Sequence, residues 1–206
     1  MSNLILGTSI VEDEWNLVKL PVLGEETVRK QAGKVVLFKL TGEKTYSEEQ
    51  IAATVIPATG KILVPLSLWI ARRGELESRL AAGELAIWLD THEVLADLVS
   101  AFDDINQLPL IAVHVERFAD GRIFSIGNLL RTRHGYKNTL RAFGDVLRDQ
   151  LFFLKRCGFD SYLIRADRSA EDALASLKDF SQPYQGAVDD KQPVWRRVSR
   201  QPASQP

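Results

Sequence analysis

Between Lys61 and Phe180, short apolar runs alternate with segments of helical period. No other feature restricts the fold as much. Ile62–Leu66, Leu85–Leu89, Leu110–Val115, Leu140–Phe143 and Tyr162–Ile164 read as buried strands. Helices are expected over Leu68–Ala82, Glu93–Asn106, Ser125–Arg133, Val146–Cys157 and Ser169–Phe180. Leu147, Leu151 and Leu154 share one face of the fourth helix, and Gly158 stops it. Strands in alternation with helices of about ten residues build βα units and a parallel sheet. The class is therefore α/β. The repeats run in simple succession, which points to a partial or atypical (β/α) barrel; a doubly wound open sheet is the alternative. About five βα units cannot close an ordinary eight-stranded barrel.

Residues 1–60 read as a small strand-rich N-terminal extension, with apolar β-branched runs at Leu4–Val11 and Val35–Leu40 punctuated by glycines. Ser47 with Gln50 three residues on is a capping box that starts a helix. Residues 61–188 form the βα core. Residues 189–206, rich in Pro, Gln, Ser and Arg, read as a disordered tail in which Trp195-Arg196-Arg197 is either a docking element or a frayed end.

Composition removes several classes of function. Formal net charge is −1, which does not suit a nucleic-acid binder. A single cysteine, Cys157, builds neither an internal disulfide nor a Cys-rich zinc or iron–sulfur site. It stands at a helix C-terminus, where a packed, inert thiol is expected. No apolar run approaches the roughly 18 residues of a membrane span, and the N-terminus lacks the basic start of a signal peptide, so a cytoplasmic chain is expected. His92, His114 and His134 lie in separate segments with no metal-ligand spacing, and no phosphate-binding glycine loop or nucleophile elbow is present. No metal and no cofactor of its own are expected.

Charge is unevenly placed. Leu110–Arg168 carries eleven Lys/Arg against six acids, so the rest of the chain is net acidic. Functional residues of parallel βα units collect where the strands end. That rule gathers 90–93, 116–122, 144–145 and 165–167 on one rim. Asp120-Gly121-Arg122 reads as a tight turn leading into a helix whose N-terminus, with Arg122 and a capping Ser125, could hold an anion; the other reading is a structural turn in which Asp120 pairs with Arg122. Arg141 lies inside a strand predicted to be buried on both faces. It either binds an oxyanion or forms a core ion pair, with Asp120 and Asp145 as the nearest partners in reach. Arg148 opens the next helix, an unfavourable place for a cation, which favours a role beyond stability. Asp120 and Asp145 are the candidate acid/base residues.

Phe118-Ala119-Asp120-Gly121-Arg122, Phe124-Ser125, Leu129-Leu130-Arg131, Gly135-Tyr136, Leu140-Arg141-Ala142, Gly144 through Leu151 and Arg156 through Asp160 together resemble a bacterial family known only as domain of unknown function 934. Val11 through Trp15, Val64-Pro65-Leu66 and Tyr184-Gln185 extend the resemblance over most of the chain. The resemblance implies an oxidoreductase role in sulfite reduction, within sulfate assimilation. It carries over no catalytic residues. One cysteine and no nucleotide motif do not equip this chain for a six-electron reduction. An accessory protein is expected instead. It would bind a sulfite reductase subunit, which supplies siroheme and an iron–sulfur cluster, or a sulfur oxyanion, through Arg122, Ser125, Arg141 and Arg148. The alternative is a stand-alone enzyme that acts on a small anionic substrate with Asp120 or Asp145 as acid/base. Homodimerisation could cover an open sheet edge.

Overall fold

The structure is a computed structural model, and it describes residues 3–21 and 46–197. The expected strand at Val35–Leu40 lies outside the described residues. In chain order the first elements are β1 (Leu4–Leu6), β2 (Ser9–Val11), β3 (Trp15–Leu17), α1 (Glu48–Ala53), β4 (Lys61–Pro65), α2 (Leu66–Ala81), β5 (Leu85–Asp90) and α3 (Leu95–Ser100). There follow β6 (Leu110–Val115), α4 (Arg122–Thr132), β7 (Thr139–Gly144), α5 (Arg148–Arg156), β8 (Ser161–Leu163), α6 (Ala170–Ser176) and α7 (Val194–Arg197).

Among the described residues the strands form one eight-stranded sheet in the order β2-β1-β8-β7-β6-β5-β4-β3. Strands β3 to β8 are parallel and lie in chain order; β1 adds antiparallel to β8, and β2 to β1. Six parallel strands thus replace the five expected. The order contains no reversal, so there is no switch point and the doubly wound alternative is excluded. Right-handed crossovers wound in one direction put α2 to α6 on the same face.

The side chains record this. Ile62, Val64, Ile87, Ile111, Leu140 and Tyr162 face the large core with the helices. The opposite parity makes a second, smaller core of Leu63, Ala86, Trp88, Leu110, Ala112 and Phe143, against which Trp15, Leu17 and Leu163 pack. No residue of the described helices joins it. Chain length explains how a sheet can have a core on a face without helices. Flat, eight strands span about 34 Å. Yet β2 and β3 are its two edges, and only residues 12–14 connect them, a reach of at most about 15 Å. The sheet therefore curls into a half barrel whose edges face each other. The strap 12–14 crosses its concave side, and Asp13 reaches Arg141 there.

Local signals account for most boundaries. Gly7, at φ 59, makes the β1–β2 turn. The Ser47–Gln50 capping box is formed, and Ser169 caps α6 through the Asp172 N–H. The expected 93–106 helix is shorter: α3 ends at Ser100, and Asp104 caps a separate turn of 3-10 helix at Ile105–Gln107. From the segment expected as a tail, residues 189–197 include α7; Arg197 pairs with Asp190, and Asp189 with Arg156. No helix among the described residues is long and apolar enough to cross a membrane.

Candidate functional site

The loops that follow β5, β6, β7 and β8 share one rim, as the strand-end rule requires. They are also braced to one another. Thr91 donates to Asp120, which joins the β5 and β6 loops. The Phe118 N–H donates to Asp145 Oδ2 at 2.9 Å, and Gln150 Nε2 donates to the Phe118 carbonyl at 2.9 Å, which joins the β6 and β7 loops. Arg165 Nη1 donates to Asp145 Oδ1 at 2.7 Å, which joins the β7 and β8 loops.

This bracing determines the chemistry left to the candidate residues. Asp120 is held by Arg122 Nε at 2.9 Å and Nη2 at 2.6 Å. The Arg122 hydrogen bond lowers its pKa to about 2 against some desolvation, too low for an acid/base at neutral pH. That is the structural turn, the second of the two readings above. Asp145 is bound by Arg165 and the Phe118 N–H. Gly121, not Ser125, is the N-cap of α4, because the helix starts at Arg122. Ser125 therefore sits one turn inside the helix, exposed. Arg148 opens α5 on the rim and is exposed. Arg141 is 5% exposed and lies on the concave face. Its partners are neither Asp120 nor Asp145. Nη1 donates to both Asp13 oxygens at 3.0 Å, and Nε donates to Ser161 Oγ at 3.2 Å. The structure thus places Arg122, Asp120, Asp145 and Arg148 at the rim and separates Arg141 from them.

Strand register assembles a group that spacing along the chain did not reveal. Asp90 ends β5, and His114 lies opposite it on β6. Both share the parity of Trp88 and Ala112, so both face the concave side. His114 Nδ1 is 2.5 Å from Asp90 Oδ1, and the Tyr46 hydroxyl donates to Asp90 Oδ2 at 3.2 Å. Burial alone would raise the Asp90 pKa. Hydrogen bonds from His114 and Tyr46, with the charges of His114 and His92, hold it below 3.8 instead. An ionised Asp90 is an acceptor, so the proton on His114 Nδ1 is the one that faces it. Phe143 and Trp88 wall the imidazole, with ring centroids at 4.9 and 5.9 Å. Gly144, at φ 100, leaves its flank uncovered; a Cβ there would lie 3.1 Å from Nε2. Glu93 accepts from the Asp90 N–H at 2.6 Å, and burial pushes its carboxyl up. His92 Nε2 is buried with no hydrogen-bond partner among the described residues. The signal in the sequence was the pair of polar residues at the ends of two apolar strands, Asp90 and His114, at the same parity. No group of three or more His, Cys, Asp or Glu among the described residues could hold a metal ion.

The sequence profile of one family, described as bacterial protein of unknown function (DUF934), matches residues 86–195. The chain belongs to this family. The match begins on β5 and ends in α7, so this DUF934 member carries its whole β5–β8 rim inside the family region. No curated protein and no solved structure matches the chain.

Proposed function

We propose that this DUF934 protein is an accessory component of assimilatory sulfite reduction that docks a sulfite reductase subunit on the rim of its half barrel. The pathway follows from the family resemblance, and the surface from one observation. Phe118 is 41% exposed in the middle of the rim, while its own N–H and carbonyl are both hydrogen-bonded to the next loop. An exposed aromatic on a fixed backbone loses little entropy on binding and suits the centre of an interface. Arg148 stands exposed on the same rim and suits an acidic partner surface. The partner would supply the siroheme and the iron–sulfur cluster.

The test is capture by the tagged protein from its own cells grown on sulfate, with the eluate scanned for siroheme absorption. Recovery of a siroheme subunit is expected, reduced at least about tenfold by Phe118→Ala and by Arg148→Glu. Failure to recover it, or recovery indifferent to both changes, removes the proposal. Arg141 is unsuitable for this test: it is buried against Asp13, so its replacement reports on folding.

A second reading, a stand-alone enzyme, is favoured by the Asp90–His114 pair. There His114 Nε2, oriented by Asp90, would take a proton from the substrate, the role first assigned to Asp120 or Asp145. Turnover abolished by His114→Gln with substrate binding retained supports it; turnover unchanged by that substitution rejects it.

A further inference from the structure

The charges around the Asp90–His114 pair bear on what can approach it. Asp90 stays ionised 2.5 Å from the imidazole, and its side chain is 8% exposed, so little water screens it. The Tyr46 hydroxyl, bonded to the same carboxylate, feels this field. Burial pushes its pKa up, and the charges of Asp90, Glu93 and Glu116 push it further. Glu93 adds to the negative charge when ionised and leaves it unchanged when protonated. His92 and His114 oppose Asp90 when they are protonated. Three arginines of the sheet and its rim are already matched by acids. Arg122 holds Asp120 through two hydrogen bonds. Arg165 holds Asp145 at 2.7 Å and Asp167 at 2.6 Å. Arg141 donates to both oxygens of Asp13. Arg148 opens α5, which packs on the opposite face of the sheet from His114. The imidazole itself is reachable. Its side chain is 28% exposed, and Gly144 places no side chain beside Nε2.

We infer that, where His114 acts on a substrate as in the second reading above, the reacting end of that substrate is uncharged or cationic, and that the site turns oxyanions away, sulfur oxyanions included. A hydroxyl, thiol or amine that gives its proton to Nε2 fits. The imidazolium formed in that step is paired with Asp90. A sulfite or carboxylate group at Nε2 would instead have only the imidazole ring between itself and the Asp90 carboxylate, with Arg122, Arg141 and Arg165 already held by other acids. The two faces of the rim then differ in sign. The helix side, at Arg148, suits an acidic partner, and the concave side at His114 does not.

The experiment compares two alkylating reagents of nearly equal size, iodoacetamide and iodoacetate, on the full chain at neutral pH. With both, the imidazole nitrogen lone pair attacks the CH2 carbon, a C–N bond forms, and iodide leaves with the electrons of the C–I bond. Only the charge of the reagent differs. Modification of His114 is followed by peptide mass mapping, which separates it from Cys157, with N-acetylhistidine as the reference. The preference for iodoacetamide over iodoacetate should be at least about tenfold greater at His114 than at the reference. It should shrink in Asp90→Asn, and also in the unaltered chain at about 1 M salt, which serves where the variant misfolds. Iodoacetate reacting as fast as iodoacetamide overturns the inference. So does a preference indifferent to both changes, or a His114 that neither reagent reaches. Alkylation needs no turnover. The inference can therefore fail while His114→Gln abolishes turnover, and it can hold while that substitution leaves turnover unchanged.

Discussion

Gly144 shows how tightly the rim is specified at the scale of one residue. Its φ of 100° lies where only glycine is relaxed, and a Cβ would press on the Val115 carbonyl and the His114 ring. Gly144→Ala should therefore cost about 2 kcal/mol or more in urea unfolding and displace His114 from Asp90, which the imidazole proton resonances will report. Asp120 gives a pH prediction. Its pKa is lower in the folded chain, about 2, than the ordinary 3.8. The unfolded chain therefore holds the proton more tightly. The stability from this group is present above 3.8 and is lost as the pH falls from there towards about 2. Asp120→Asn should lower stability at pH 7 by about 1–2 kcal/mol and flatten the acid limb of the curve between those pH values. A wild-type acid limb retained in the variant rejects this assignment.

At the scale of elements, the decisive contact is the strap 12–14 closing on β7. Arg141 has a side chain 6% exposed, and Asp13 neutralises it from a loop whose own side chain is 28% exposed. Removing only the acid leaves a buried charge unpaired, whereas removing the arginine does not. Asp13→Ala should thus cost about 3 kcal/mol or more, and Arg141→Met markedly less. Equal losses in denaturant titration would show that the ion pair does not govern the strap. The same contact marks the limit of what the sequence discloses. Runs such as Leu85–Leu89 and Leu110–Val115 announce strands, and Gly158 and Ser169 announce helix ends, because these signals are local. That Arg141 sits in a buried strand and needs a carboxylate was legible as well. Which carboxylate was not, since Asp13 is 128 residues away and meets it only once the sheet has curled. The candidate site divides in the same way. The shared rim follows from strand ends alone. The pairing of Asp90 with His114 depends on the β5–β6 register, and the neutralising of Asp145 depends on a brace between loops, whereas Asp120 is neutralised within its own turn by Arg122, a pairing the sequence offered.

At the scale of the whole molecule, the half barrel makes the N-terminal strands part of the core rather than an appendage to it. β1 covers the open edge of β8, and β3 the open edge of β4. The indole N–H of Trp88 donates to the Val18 carbonyl at 3.0 Å, from the middle of the concave core to the residue after β3. The Gly7 N–H donates to the Asp160 carbonyl, and the Ile164 N–H to the Asn3 carbonyl. A fragment of residues 61–188, the βα core that the sequence alone delimits, loses all of this at once. Both of its edge strands are unpaired, a buried indole N–H lacks its acceptor, and Arg141 lacks its carboxylate. These losses together approach the 5–15 kcal/mol by which a domain is stable at all. The fragment should therefore be unfolded or aggregated, with a collapsed amide spectrum and no cooperative urea transition. Adding residues 1–21 as a separate peptide should restore part of both, because the peptide carries β1, β2, the strap and β3. A fragment that unfolds cooperatively with full-chain stability and no peptide would mean that the eight strands are not one unit.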